Sequence, residues 1–555
     1  MDQIIITGGE PLLRSDIFEI IQEAKKKAKV HLQTNGTLIT SGVARKLEKS
    51  GLDSILVHLP TLDKFLFSFL SRSSPKLLQQ KFDALESLAK TNIKTGVVFV
   101  VNSLNYSELF EIAKKIFSIS YKFYLQITNT IRFSQDVNEV IPLAAPLNLF
   151  KPILNKTLQF CENNHLEVRI DGIPLCFIDE KFFKYVSDLK VRTYDFDQKF
   201  IRGEKKYDSE NYEGKEHVYL EHCKSCELKN LCKGFYIYYK KYYELKKLPE
   251  GPHEMPRIDV RTGYLCNNNC LYCCVGHLGE KLKSTKDILI DLFEGRKAGA
   301  MKVSFTGGEP TIRKDIFFIT KAARDMGYYE VQVITNGRML SYPKFFDNLV
   351  ESGVNRIAFS FDDVDQKIVD TLSSVKGTFE QLMRAFENAK KYTKVHYTTI
   401  TVINKLNYKH LSEIVKFLIK LNKSLPKMSS EFMFISPEGN ALNHIELLIP
   451  KIREVVPYVH EALDIAIKNK YPLNVEAIPL CYMRGYENHV VELHMAEKRF
   501  MANLGSLDRD YNASRKNFLK AKPLKCSNCK YFDMCEGVHK EYLKLFGDEE
   551  LKPVK

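Results

Sequence analysis

The stretch Cys266-Asn-Asn-Asn-Cys270-Leu-Tyr272-Cys273 decides how this chain reads. Three cysteines at spacings of four and three on one tight loop can aim three thiolates at three corners of an iron–sulfur cube. Cubane clusters usually take four cysteine thiolates. A site that stops at three leaves one iron free to chelate a small molecule, which makes it a reagent as well as an electron carrier. A zinc knuckle short of one ligand and a chance grouping are the plainer alternatives.

The flanking sequence alternates short β-branched runs with longer amphipathic stretches. Ile258 to Thr262, just before the loop, reads as a first strand. Strands are predicted at Val303–Phe305, Glu330–Ile334, Ile357–Phe361, His396–Ile403 and Phe432–Ile435. Helices are predicted at Lys314–Met326, Lys344–Ser352, Phe379–Tyr392 and Leu411–Leu421. This alternation means a parallel sheet with helices outside. Six strands make a full or partial (β/α)6 barrel, whose functional groups sit at strand C-terminal ends. The cysteine loop, Gly307-Gly308-Glu309, Thr335-Asn336 and Ser360 all fall at such ends and converge on one face. Leu447 to Asn469 is helical in pattern and leads into a cysteine-bearing tail.

The chain repeats itself once, at about 300 residues. Thr7-Gly-Gly-Glu-Pro11 recurs as Thr306-Gly-Gly-Glu-Pro310, each followed by an arginine (Arg14, Arg313) and by Asp-Ile-Phe. Thr34-Asn-Gly36 recurs as Thr335-Asn-Gly337. Asn102, Leu104, Asn105 and Tyr106 match Asn404, Leu406, Asn407 and Tyr408. Ile173-Pro-Leu-Cys176 recurs as Ile478-Pro-Leu-Cys481, and Gly234 matches Gly537. So many landmarks in order read as a tandem duplication.

Cysteine usage follows the repeat. Of the 13 cysteines, Cys223, Cys226 and Cys232 form one C-x2-C-x5-C group with Cys176 upstream. Cys526, Cys529 and Cys535 form another with Cys481 upstream. Only Cys161 and Cys274 stand outside the groups. Grouped cysteines in a cytosolic chain read as metal ligands rather than disulfides. Cytoplasm is the expectation, because no signal peptide is visible and no apolar run approaches the roughly 20 residues of a membrane span. The 555 residues suit two to four domains. Their 44% apolar and 27% charged content is that of a soluble globular protein. Net charge is +14, from 82 basic and 68 acidic residues, a mild excess at this length. No basic run is interleaved with aromatics, so neither a nucleic-acid interface nor a membrane partner is expected.

These residues resemble the radical S-adenosylmethionine (SAM) superfamily. Its signatures are Cys-x3-Cys-x2-Cys after a first strand, with an aromatic before the last cysteine, and Gly-Gly-Glu-Pro after the second strand. The resemblance covers roughly 257–440. It implies that Cys266, Cys270 and Cys273 ligate a [4Fe–4S] cluster whose open iron binds SAM. Tyr272 would pack beside the adenine. Glu309 and the backbone of Gly307 and Gly308 would hold the methionyl ammonium, and Ser360 and Asp362 would contact polar groups of SAM. Each position also has a plainer role: a strand-end glycine turn, a cap by Glu309 on the following helix, a closed loop at Ser360 and Asp362. The implied chemistry is reductive cleavage of SAM to a 5′-deoxyadenosyl radical that takes hydrogen from a substrate. That chemistry needs an electron donor such as flavodoxin or ferredoxin.

Residues 446–555 resemble the SPASM or twitch extensions that carry auxiliary iron–sulfur clusters. Cys526, Cys529 and Cys535, with Cys481 as fourth ligand, suit one auxiliary cluster rather than the two of a full SPASM domain; zinc is the alternative. The expected domains are 1–145, an incomplete barrel; 146–244, its cysteine extension; 245–256, a linker; 257–445, the radical SAM barrel; and 446–555, the second extension.

The first copy starts at Met1, six residues before its Thr7-Gly-Gly-Glu-Pro11, and has no three-cysteine loop. Either its start lies upstream or it no longer activates SAM. His58 and Pro60 stand where the second copy has Ser360 and Asp362, and Pro60 removes a backbone donor, which favours a degenerate copy. Its Cys176, Cys223, Cys226 and Cys232 are still expected to bind a cluster or zinc. The leading expectation for the whole is a radical SAM enzyme that modifies a peptide or protein. The alternatives are cyclisation of a small nucleotide-like precursor, as in molybdopterin biosynthesis, and a non-catalytic iron–sulfur scaffold or electron carrier.

Overall fold

Short runs of buried β-branched and aromatic residues, each followed by an amphipathic helix, build the same layered arrangement twice. The computed structural model describes residues 3–129, 141–187, 199–202, 205–208, 217–240, 255–425, 428–496 and 498–555. The chain divides into two units, Met1–Leu248 and Pro249–Lys555. Of the linker expected at 245–256, all but Met255 and Pro256 lies outside the described residues.

In the first unit, β1 (Gln3–Ile6), β2 (Lys29–Thr34), β3 (Ser54–His58), β4 (Lys94–Val100), β5 (Tyr124–Thr128) and β6 (Glu167–Asp171) form one parallel sheet in chain order. The intervening helices are α1 (Ile17–Lys25), α2 (Ser41–Lys49), α3 (Lys64–Ser71), α4 (Leu77–Leu88), α5 (Leu109–Ile119) and α6 (Leu147–Asn163). Val30, Leu32, Ile55, Val57, Val97 and Phe99 are buried under these helices. Two small antiparallel pairs follow, β7 (Lys199–Arg202) with β8 (Lys205–Asp208), and β9 (His217–Val218) with β10 (Phe235–Tyr236).

The second unit repeats the plan with more strands. β11 (Arg257–Arg261), β12 (Lys302–Thr306), β13 (Glu330–Thr335), β14 (Arg356–Ser360), β15 (His396–Ile403), β16 (Met428–Phe434) and β17 (Leu473–Glu476) run parallel in chain order. The longer helices are α7 (Thr285–Lys297), α8 (Ile316–Asp325), α9 (Pro343–Glu351), α10 (Gln366–Ser373), α11 (Thr378–Ala389), α12 (Leu411–Asn422) and α13 (Ile452–Lys468). Their starts are set locally: the Ser284 hydroxyl accepts the Asp287 N–H at α7, and Asp365 accepts the Lys367 N–H at α10.

Three features differ from the sequence reading. The strand predicted at Phe432–Ile435 begins at Met428, because Ser429 and Glu431 face the polar side of the sheet and interrupt the apolar run. The helix predicted over Leu447–Asn469 starts at Ile452, beyond Pro450. And β18 (Arg499–Asn503), from the expected extension, pairs parallel with β11 on the opposite edge and turns back as β19 (Ser506–Asp508), giving nine strands. The extension is thus woven into the sheet. Among the described residues no helix is long and apolar enough to cross a membrane.

Candidate cofactor site and cysteine groups

The cysteine loop is laid on the Gly-Gly-Glu segment backbone to backbone. The Gly308 N–H donates to the Gly263 carbonyl at 2.8 Å and the Glu309 N–H to the Leu265 carbonyl at 2.9 Å. A Cβ on Gly307, whose φ is +122°, would stand 2.2 Å from the Gly263 oxygen; one on Gly308 would stand 2.1 Å from the Leu265 oxygen. Only glycine allows this approach. Among the described residues of the first unit, a Cβ on Gly8 or Gly9 meets nothing within 4 Å.

Further contacts hold the loop along its length. The Asn336 amide donates to Asn267 at 2.8 Å, and the Arg338 guanidinium reaches the Asn267 carbonyl and, at 2.9 Å, the Asn268 side chain. The Asn269 and Leu271 N–H groups donate to the carbonyls of Ser373 and Leu372 at the end of α10. Beyond β16, Asn440 donates from its side chain to the Cys270 carbonyl at 3.1 Å and from its backbone to the Cys273 carbonyl at 3.0 Å. Gly439 lies so close that a Cβ there would be 2.6 Å from the Cys273 oxygen. Sequence reasoning missed Arg338, Gly439 and Asn440; the Thr335-Asn-Gly landmark pointed at the first of these without naming it.

Cys266, Cys270 and Cys273 are brought together on this loop, each partly exposed. Burial pushes the Cys266 thiol up to about 11 and Cys270 higher still, with neighbouring carboxylates and thiols adding to the shift. Thiols so disfavoured as bare anions are stabilised as thiolates by a bound cation. A pre-shaped loop with three thiols and a glycine cradle beneath it therefore fits a [4Fe–4S] cluster held by three cysteines.

Glu309 is buried and fully engaged. Its carboxylate accepts the Thr311 N–H and hydroxyl, the Thr335 hydroxyl at 2.8 Å and the Asn336 N–H at 2.7 Å. Burial raises its pKa, and these bonds pull the other way. Glu10 accepts the equivalent bonds from Leu12, Thr34 and Asn35 in the first unit. The carboxylate thus ties strand ends together in both units. The Tyr272 hydroxyl donates to Asp362 at 2.6 Å, so these two side chains are partners of each other. Burial raises the Asp362 carboxyl to about 6, against the hydrogen bond from Tyr272. Asn407 donates to the Asp362 carbonyl as Asn105 donates to that of Pro60, both at 2.8 Å. Ser360 closes β14, half-buried, opposite Ile400.

The two other cysteine groups also assemble. Cys481, Cys526, Cys529 and Cys535 line one apolar recess with Pro479, Phe532 and Leu551. Burial, then the other three thiols, pushes Cys481 up to about 11. In the first unit burial, then Cys232, Cys223 and Cys226, pushes Cys176 up to about 12. The Gly537 N–H donates to Cys535 Sγ and the Gly234 N–H to Cys232 Sγ, both at 3.3 Å. Among the described residues, no three His, Cys, Asp or Glu side chains form a group that could hold a single metal ion.

A parallel α/β sheet with a three-cysteine loop seated on a glycine pair at its C-terminal edge defines a cluster-binding barrel. The radical SAM superfamily model matches residues 1–116 and 260–418, and the chain belongs to that superfamily. SAM and a [4Fe–4S] cluster are the cofactors this membership brings. The chain is 30% identical over 182 residues to a probable GTP 3′,8-cyclase of Saccharolobus solfataricus, covering 32% of this chain and 57% of that protein. It is 30% identical over 171 residues to a probable GTP 3′,8-cyclase of Pyrococcus abyssi, covering 30% and 54%. It spans just over half the length of these curated relatives. Among solved structures, Streptococcus suis SuiB bound to S-adenosylmethionine is similar at 17% identity and a TM-score of 0.40, over 56% of this chain and 78% of that one.

Proposed function

We propose that the second unit is the catalytic half of a radical SAM enzyme acting on a peptide or protein. The observation that carries this is the seating of the cysteine loop on Gly307 and Gly308, at a distance that only glycine permits. Cys266, Cys270 and Cys273 would hold the cluster, which with SAM supplies one-electron cleavage to a carbon radical able to take hydrogen from a substrate. Arg338 and Asn440 fix the loop. Glu309, Ser360 and Asp362 would face SAM, with Glu309 and Asp362 held in place by the partners already described. A flavodoxin or ferredoxin would supply the electron.

The curated relatives are named for GTP. A triphosphate, however, calls for a net cationic pocket. The inner side of this sheet buries Asp259, Glu431 and Glu476 beside its arginines, and that mixture favours a substrate of low net charge. The first unit, in our reading, is a duplicated barrel that no longer activates SAM and keeps an auxiliary cluster at Cys176, Cys223, Cys226 and Cys232. A second auxiliary cluster would sit at Cys481, Cys526, Cys529 and Cys535.

Anaerobic reconstitution with iron and sulfide, followed by SAM and dithionite, tests the reading. 5′-Deoxyadenosine is expected from the wild-type chain and not from Cys270→Ala. Equal amounts from both would overturn it. Stimulation by GTP, with none by peptide, would move the substrate assignment to the cyclase class.

A further inference from the structure

Where the extension meets the second sheet, a group of buried charges serves none of the contacts described so far. Two elements of the sheet are internally satisfied there. Asp259 on β11 accepts from Arg257 at 2.6 Å and from Arg499 on β18 at 2.7 Å. Glu476 at the end of β17 pairs with Arg515, whose other nitrogen reaches Glu536 at 2.9 Å. Arg515 precedes β20 (Lys520–Ala521) and Glu536 precedes β21 (Val538–His539); the two strands pair antiparallel, which places Lys520 in the same group.

The rest is not satisfied. Lys520 is 3% exposed, and its ammonium has no hydrogen-bond partner. One oxygen of Glu492, one oxygen of Glu536 and Nε of Arg515 are buried in the same condition. The Glu492 carboxylate uses its other oxygen to accept the Ala477 N–H at 2.8 Å. Lys520 lies within electrostatic range of Glu492, Glu476 and Glu536 and bonds none of them. A buried ammonium and two buried carboxylate oxygens without partners are costly to a fold. Stability alone would favour apolar side chains at such positions, so the arrangement reads as a site whose partners come from a ligand.

The charge balance narrows the ligand. Asp259, Glu431, Glu476, Glu492 and Glu536 face Arg257, Arg499, Arg515 and Lys520. Burial, then the neighbouring Glu476, raises the Glu431 carboxyl far above the usual carboxylate range. The groups left without partners carry both signs: the Lys520 ammonium on one hand, one oxygen each of Glu492 and Glu536 on the other. A polyanion or a polycation would upset that balance; a net-neutral ligand with both signs would complete it.

We propose that this junction is the substrate-recognition site of the second unit and takes a zwitterionic, amino-acid-type ligand, its ammonium on Glu492 and Glu536 and its carboxylate on Lys520. The assignment rests on the reading of this unit as the catalytic half and adds the chemistry of what it acts on. The same pairing would receive a free α-amino acid or the charged groups of a short peptide.

The test uses the full chain, anaerobically reconstituted, and calorimetric titration. The probes are the free L-α-amino acids, a set of short unblocked peptides, and the N-acetylated and carboxamide forms of each. At least one unblocked probe is expected to bind, and blocking either charge should weaken it tenfold or more. Lys520→Met should also weaken it tenfold or more, with the melting temperature of the free protein unchanged or higher. Glu492→Gln should weaken it while the carboxamide form of the probe is affected in parallel. Whether amino acids or peptides bind identifies the source. No binding by any unblocked probe, binding indifferent to Lys520→Met, or unfolding of that variant would each overturn the proposal. Loss of SAM cleavage in the wild type with probe binding intact would instead fail the enzyme reading and leave this site standing.

Discussion

Gly9 and Gly308 occupy matching positions in the two units, and alanine at each should have very different effects. A Cβ at Gly308 would stand 2.1 Å from the Leu265 oxygen, 2.6 Å from its carbonyl carbon and 2.7 Å from that of Tyr264. All three are backbone atoms, so no rotamer change relieves the clash. The loop would have to back away by about 1 Å even to reach the shortest tolerated contact. That displacement breaks the two backbone hydrogen bonds, at 2.8 and 2.9 Å, which seat the loop. Overpacking at about 1–3 kcal/mol and two lost bonds at about 1 kcal/mol each give a local cost of about 3–5 kcal/mol. A shift of this size in a positioned reactive group also costs on the order of a hundredfold in rate. At Gly9 an added Cβ touches nothing, and the change should be neutral within about 0.5 kcal/mol. The assay compares iron and sulfide content, thermal unfolding and 5′-deoxyadenosine formation for Gly308→Ala and Gly9→Ala after identical reconstitution. If Gly308→Ala keeps its cluster and its rate like Gly9→Ala, the seating of the loop does not control the site.

Arg338→Ala removes charge-assisted bonds to the Asn267 carbonyl and the Asn268 side chain and should cost the loop about 2–3 kcal/mol, read as faster loss of iron to a chelator with little change in the melting curve. Glu10→Ala and Glu309→Ala should destabilise their own units by a similar amount, about 2–4 kcal/mol, because the carboxylates make equivalent bonds; only Glu309→Ala should abolish SAM cleavage, and equal loss in both would refute the division of labour. Burial, then Lys81, lowers His58 to about 4 in the folded chain, so the unfolded state binds the extra proton between pH 6.5 and 4. The first unit should therefore lose stability as pH falls through that window, by about 2 kcal/mol at pH 5, and His58→Gln should flatten the profile; an unchanged slope would contradict it. Cys226→Ala should lower the metal content of the full chain without stopping 5′-deoxyadenosine formation, and unchanged metal would remove the first-unit site.

The parts of the fold written in local sequence were legible. Alternating apolar runs placed β12 to β15 to within a residue or two, and Cys266–Cys273 with Gly307–Glu309 marked the site. What was lost depends on residues distant in sequence. Ser429 and Glu431 hide the start of β16 because they face the polar side of the sheet. β18 was invisible because a five-residue run finds its partner, β11, some 240 residues earlier. Arg338 and Asn440 bear on the cysteine loop through side chains whose reach no spacing rule describes. The charged junction draws on Asp259, Glu476, Glu492, Arg515 and Lys520, each of which reads in isolation as one more charge on a lysine-rich surface. The roles expected of Glu309 and Asp362 show a different limit. The motif located both residues, but only the structure revealed that the Glu309 bonds recur at Glu10 and that Asp362 holds the Tyr272 hydroxyl.

The central claim is that three thiolates on one loop hold a cluster whose remaining iron is open to SAM. Electron paramagnetic resonance of the dithionite-reduced, reconstituted chain with and without SAM tests it most directly. The account predicts a signal that shifts when SAM is added to the wild type, and no SAM-dependent shift once Cys266, Cys270 and Cys273 are all alanine, although signal from the other cysteine groups persists. A SAM-dependent shift that survives in the triple variant would contradict it.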